Sequence, residues 1–243
     1  MARIAYNSVD AAAFEATRHL TGDGLAAWQE AVTRYLDPRS GMRLLDLGAG
    51  TGNWAQTFTT WYEGVDVVAV EPSAAMRARS VYQPITPGDA AHIPLAAGSV
   101  DAAWMSTVIH HVPDLTAAAR ELRRVLRPGA PLLIRSAFAG RHQAITLFRY
   151  FPEAVGVLDT YPSVAEVEAA FAGAGFTTAG FEQVRQITAA SLREAATTLR
   201  REAHTLLQLI SDDAYAAGLA RLQKAARTDT GPVIDALDLL VLR

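Results

Sequence analysis

Residues 43–52 read Arg43-Leu44-Leu45-Asp46-Leu47-Gly48-Ala49-Gly50-Thr51-Gly52. A short apolar run interrupted by one acid and followed by three closely spaced glycines is the pattern of a buried strand ending in a tight turn. Beyond it, residues 53–62 place Trp54, Phe58 and Trp61 on one face of a helix. Amide groups at that helix N-terminus favour negative charge, while Asp46 brings the opposite sign to the same strand end. The turn therefore suits a zwitterionic ligand with a cationic centre, such as an amino-acid sulfonium, better than a pyrophosphate. The dinucleotide fingerprint G-x-G-x-x-G fails, because from Gly48 its third glycine falls on Asn53.

Working outward, the alternation of strand and helix continues. Val-rich residues 65–70 predict a second strand ending at Glu71-Pro72, and Ser73 can cap a helix through residue 82. Residues 85–87, 100–105 and 131–135 predict three more strands, with a helix over 115–126 that stops before Pro128-Gly129. Ser163 and Glu166 form a capping box, and Gly175 closes the helix they start. Residues 181–187 and 237–242 read as two final strands, pairing antiparallel at a sheet edge. Between them the stripe Leu192, Ala195, Leu199, Ala203, Leu206 and Ile210 predicts one helix, followed by a second over 212–227. Helices over 10–20 and 23–36, separated by Gly22 and Gly24, precede the first strand. The reading is a doubly wound α/β sheet, with ligand expected beyond the carboxyl ends of its strands. No repeat or linker divides residues 1–243, so one domain is expected: a helical cap (1–40), a cofactor-binding core (41–136), and substrate or lid insertions (137–162 and 188–230).

Composition narrows the function. The chain has 243 residues, half of them hydrophobic, with a formal net charge of -3. Its basic residues form only short clusters such as Arg123, Arg124 and Arg127, so a nucleic-acid partner is not expected. Cysteine is absent, which excludes disulfides, zinc-thiolate sites and thiol nucleophiles. The start of the chain lacks the apolar core of a signal peptide, and the apolar runs have strand length, so a cytoplasmic protein without membrane contact is expected.

Several residues fall at the predicted strand ends. Glu71 can accept hydrogen bonds from both hydroxyls of a ribose. Met76, one turn into the next helix, either covers an adenine face or fills the core. Asp89, in Gly88-Asp89-Ala90-Ala91, can accept from an adenine amino group while the following N–H serves a ring nitrogen. The segment from Ser106 to Asp114 brings His110 and His111 to the mouth of the site, where adjacent positions should point apart and only one should face substrate.

Taken in order, the glycine turn, Val67 to Ser73, Gly88-Asp89-Ala90, Asp101 to Asp114 and Leu126-Arg127-Pro128-Gly129 resemble class I S-adenosylmethionine-dependent methyltransferases. The similarity is to the ubiquinone/menaquinone-methyltransferase-like enzymes of small molecules, and covers 43–135. It implies a Rossmann-like, mostly parallel seven-stranded sheet with an antiparallel C-terminal strand. It also implies S-adenosylmethionine as cofactor and S-adenosylhomocysteine as product. Asp46, Gly48 and Gly50 would hold the methionine part, Glu71 the ribose, and Asp89 with Ala90 the adenine, with Ala49, Pro72, Met76 and His111 also counted among the cofactor-binding residues. Ser106 would lie beside the methionyl group, with Tyr6 and Arg18 closing over the cofactor.

The Asn/Asp-Pro-Pro-Tyr/Phe motif of amide-nitrogen methyltransferases is replaced by Ser106-Thr107-Val108-Ile109, and no carboxylate and His metal cluster is evident. His110 and His111 are the candidates for general base or acceptor-orienting group; packing beside the cofactor is their alternative role. The aromatic segment 138–161, with Arg141, His142 and Arg149, suggests an aromatic or polyketide-like acceptor. The expected protein is a monomer or homodimer acting on a small molecule. Competing readings are a cyclase or pericyclase using the cofactor structurally, and a non-catalytic cofactor-binding partner subunit.

Overall fold

A computed structural model describes residues 7–17 and 22–243. Helices α1 (Ser8–Thr17) and α2 (Gly22–Leu36) lead into β1 (Arg43–Leu47), α3 (Asn53–Trp61), β2 (Asp66–Glu71), α4 (Ala74–Arg77), β3 (Ile85–Pro87) and β4 (Ala102–Ser106). Then come α5 (Leu115–Val125), β5 (Leu132–Ser136), α6 (Thr146–Tyr150), α7 (Val155–Leu158), α8 (Val164–Ala172) and β6 (Thr178–Ala189). The chain ends with α9 (Leu192–Thr198), α10 (Thr205–Gln208), α11 (Asp212–Ala225) and β7 (Val233–Leu242).

The seven strands form one sheet in the order β3-β2-β1-β4-β5-β7-β6. β1 to β5 pair in parallel, while β7 runs antiparallel between β5 and β6. β1, β4 and β5 are almost wholly buried because both faces are covered. On one face Leu45, Met105, Ile134 and Leu240 pack under α5 and α8, with Leu122 and Phe171 filling the layer. On the other, Leu44, Trp104, Leu133 and Leu239 meet Trp28 and Phe58 of α2 and α3. The period-2 alternation continues past the apolar residues and puts Asp46, Ser106 and Arg135 on the same face as Trp104, at the carboxyl ends of adjacent strands.

A third apolar cluster, including Phe148, Phe151, Leu158, Leu207 and Leu222, joins the insertion after β5 to the helices between β6 and β7. The capping box at Ser163 and the antiparallel final pair stand where the sequence puts them. Three expectations differ. The helix begun at Ser73 stops at Arg77, because the following segment bonds elsewhere: Val81 N–H donates to the Thr51 carbonyl and the Tyr82 hydroxyl to the Val67 carbonyl. The stripe from Leu192 to Ile210 is broken into α9, a 3₁₀ turn at Arg201–Ala203, and α10. Arg201 stabilises the break by donating to the Leu207 and Ile210 carbonyls. Gly22 and Gly24 lie inside α2 rather than before it, since Gly24 is where the helix meets the Ile187 backbone too closely for a side chain.

Candidate active site

The strand ends open into one cavity of about 1020 Å³, lined by residues from both halves of the chain. Asp46, Gly48, Ala49, Gly50, Glu71, Pro72, Met76, Asp89, Ala90, Ser106, His110 and His111 all lie on its wall. The sequence-predicted set is thus brought together, apart from Tyr6 and Arg18, which fall outside the described residues.

The glycine turn is built by conformation and by space. Gly48 has φ of 75°, and a Cβ there would approach Val108 Cγ2 to 2.5 Å, so the position takes glycine on both counts. Glu71 ties this turn to the end of β2: one carboxylate oxygen accepts from Gly50 N–H at 2.9 Å and the other from Ser73 N–H at 2.8 Å. Each oxygen keeps a further acceptor direction, so ribose hydroxyls can still be met. Burial raises the Glu71 pKa, opposed by those two N–H groups and by Arg77.

Asp46 is deeply enclosed, 1% exposed. Its Oδ2 is buried without a hydrogen-bond partner among the described residues. Burial first, and then the Glu71 charge, lifts its pKa to about 7, against the opposing pull of the Ala55 N–H. A buried carboxylate on a cavity wall is a costly group that a ligand cation would satisfy. Asp46 together with the open glycine turn therefore fits an amino-acid sulfonium. Asp89 is half exposed, accepts from Ala91 N–H at 2.8 Å and lies 3.2 Å from His92 Nδ1. Met76 is buried and also lines the cavity, so it serves as core and wall together.

After β4 the chain turns sharply. Thr107 adopts φ of 55°, rare for a β-branched residue, and its N–H donates to the Arg135 carbonyl at 2.7 Å. The bend presents the 3₁₀ turn Ile109–His111 over the cavity. Both histidines line the cavity, where only one was expected to face it. With three residues per turn, the fully buried Ile109 anchors the turn and leaves the next two positions on the open side. His110 stacks on Tyr161 with ring centroids 4.1 Å apart and planes 4° from parallel. The His111 ring lies 4.1 Å from that of His110, and its Nε2 is 3.5 Å from Thr205 Oγ1.

Some wall residues were missed by the sequence reading. Arg135, Gln186 and Thr205 all line the cavity. Arg135 had a visible signal, a lone cation closing the apolar strand Leu132-Leu133-Ile134; Gln186 and Thr205 had none. Conversely, Arg141, His142 and Arg149 are not on the wall. Arg141 is held instead by Asp238 through bonds of 2.6 and 2.9 Å, and Arg149 lies against Tyr150. Among the described residues no cluster of three or more His, Asp or Glu could hold a metal, and no helix is long and apolar enough to cross a membrane.

A doubly wound sheet with an antiparallel last strand, a glycine turn after β1 and acids near the carboxyl ends of β1, β2 and β3 defines a class of nucleoside-cofactor proteins. The family described as methyltransferase domain matches residues 18–179, and this chain belongs to it. In sequence it is 35% identical over 119 residues to a demethylmenaquinone methyltransferase of Corynebacterium kroppenstedtii, covering 47% of this chain and 50% of that protein. The chain spans about half the length of the curated relatives it matches.

In fold it resembles a protein described as a methyltransferase from an antibiotic biosynthesis pathway of Anabaena variabilis. That likeness has a TM-score of 0.68 at 21% identity and covers 88% of this chain and 96% of the other. It also resembles a Haemonchus contortus phosphoethanolamine N-methyltransferase solved with phosphomonomethylethanolamine and S-adenosylhomocysteine. There the TM-score is 0.62 at 19% identity, covering 99% of this chain and 58% of the other. At those identities the likeness is one of fold.

Proposed function

We propose that this chain transfers a methyl group from S-adenosylmethionine to an O, N or C nucleophile of a small molecule, with an aromatic or polyketide-like acceptor as the expected class. The observation that carries this reading is the convergence of Asp46, Glu71 and Asp89 with the Gly48 turn on one cavity that continues past His110 and His111. Asp46 and the turn would hold the amino-acid end, Glu71 the ribose, and Asp89 with the Ala90 N–H the adenine; Ser106 would lie beside the methionyl group. The sulfonium supplies an activated methyl, so the protein must mainly position a nucleophile in line and manage its proton. Either His110 or His111 would take that proton or orient the acceptor, the first held by its stack on Tyr161 and the second placed beside Thr205.

Segments 137–162 and 188–230 would form the acceptor side, since Ile145, Tyr150, Phe151, Leu192 and Leu199 from those segments line the same cavity. A cytoplasmic protein acting on a diffusible metabolite agrees with this chemistry. Calorimetry with S-adenosylhomocysteine, followed by incubation with methyl-labelled S-adenosylmethionine and aromatic or polyketide acceptors, tests the reading. Micromolar binding and labelled product are expected. If the unaltered protein fails to bind S-adenosylhomocysteine, the assignment is lost.

A further inference from the structure

Arg135, next to last in β5, is 6% exposed, yet it forms part of the cavity wall. Its guanidinium is fixed on several sides. Nη1 donates to Ser106 Oγ at 3.0 Å and Nη2 to Gln186 Oε1 at 2.8 Å; the same Gln186 oxygen accepts from Trp28 Nε1 at 2.7 Å. The indoles of Trp28 and Trp54 flank it, with centroids 4.8 and 5.5 Å from its central carbon. A planar cation with five donors, steadied by Ser106, Gln186 and two indole faces, can present a rigid fork to an oxyanion.

Position decides which oxyanion. Asp46, Glu71 and Asp89 lie at the ends of β1 and β2 and after β3, toward one edge of the sheet; Arg135 lies on β5, on the other side of β4, where the Asp235 carboxylate of β7 also lines the wall and accepts from Thr146 N–H and Thr188 Oγ1. The cation thus stands on the β5 side of the cavity, away from the acids of the proposed cofactor end. Among the described residues Arg135 is the one arginine on that wall, and no lysine joins it. The same wall carries Ala137, Ile145, Tyr150, Phe151 and Leu237, which suit an apolar body.

We propose that Arg135 is a specificity-determining residue that binds an anionic oxygen of the acceptor, a carboxylate or an acidic phenolate or enolate on an aromatic or polyketide-like skeleton. This deepens the methyl-transfer reading and rests on it for the word acceptor. The cofactor's own carboxylate has the same chemistry, so the test must separate the two sources.

The probes are 2-naphthoate and its neutral counterpart 2-naphthamide, titrated into the full chain with and without saturating S-adenosylhomocysteine. The unaltered protein is expected to bind the naphthoate roughly ten- to hundredfold tighter than the amide, the range of a charge-assisted bond. Arg135→Met should bind both alike while its affinity for S-adenosylhomocysteine stays within about twofold. Gln186→Leu, which keeps the cation but removes one support, should lower the preference by about three- to tenfold and decides the matter if Arg135→Met does not fold. Equal binding, or no binding, of the two probes by the unaltered protein would overturn the proposal. So would a preference that survives both substitutions, or a tenfold loss of S-adenosylhomocysteine affinity in Arg135→Met, which would assign the guanidinium to the cofactor. Failure of the unaltered protein to bind S-adenosylhomocysteine counts against methyl transfer alone, because the naphthoate comparison is also made without it.

Discussion

The two ends of the cavity are made in different ways. At the β1–β3 end each polar group follows directly from its own strand: Asp46 lies within β1, Glu71 ends β2, and Asp89 follows β3 by two residues. At the other end the wall is assembled from β5, β6, α6, α9 and α10, brought together by an apolar cluster in which Phe151 and Leu207 are fully enclosed. One end depends on local turns and the other on long-range packing. Substitutions should separate them, because damage to the first acts on ligand charge and backbone fit, whereas damage to the second acts on how the insertions pack.

The largest contrast should come from Asp46→Asn. Losing a buried carboxylate that faces a ligand cation should weaken S-adenosylhomocysteine binding about 10- to 100-fold, read by calorimetry. Thermal stability at pH 8 should not fall with it, because the replacement removes a charge whose burial costs free energy. An unchanged affinity would mean that Asp46 does not meet the ligand.

Glycine substitution applies the same added methyl at the turn. Gly48→Ala must hold a left-handed φ of 75° and crowd Val108, which costs about 1–2 kcal/mol for the conformation alone. Cofactor-product affinity should drop by about tenfold, since the turn itself shifts.

The acid at the β1 end also sets a pH dependence. Asp46 titrates near pH 7 in the unliganded protein, held up by burial and by Glu71. Its neutral form favours folding relative to its ionised form, so this contribution to stability is greatest in acid and is lost as pH rises through about 7. A cationic ligand favours the ionised form, giving the opposite trend for binding. Affinity should rise by about tenfold between pH 6 and pH 8, with proton release visible as a buffer-dependent heat. Asp46→Asn should flatten that profile; a flat profile in the unaltered protein would place the titration elsewhere.

How much of this was legible in the sequence follows the same division. β1 and β3 stand at the residues the pattern gives, because Leu44-Leu45 and Ile85-Thr86 are read from neighbours alone. Ser73 begins a helix as read, but its length was set by Thr51 and Val67, which capture Val81 and Tyr82 from distant parts of the chain. The stripe at Leu192 to Ile210 has helical period throughout, yet Arg201 turns it aside by satisfying carbonyls nine and six residues away. Arg141 looked available for an acceptor because its partner Asp238 is 97 positions off. Arg135 escaped notice for the reverse reason: its supports, Trp28, Trp54 and Gln186, are scattered and only the sheet gathers them.

The smallest expected effect on cofactor binding comes from the same glycine-to-alanine change at the packed end. Gly218 lies in the middle of α11, where glycine ordinarily weakens a helix, and a Cβ there would intrude on the Phe151 ring. Phe151 is buried and also lines the cavity, so it must move or the helix must lift. Overpacking of this kind costs about 1–3 kcal/mol, or roughly 3–9 °C in melting temperature for a chain of this size. S-adenosylhomocysteine affinity should stay within about twofold, because the Gly48 turn and Asp46 are untouched. The two glycines thus reverse each other: Gly48→Ala should be read most clearly by ligand titration, Gly218→Ala by melting. If Gly218→Ala weakened cofactor-product binding as much as Gly48→Ala, the packed end would be supporting the turn, and the two ends would be a single cooperative unit.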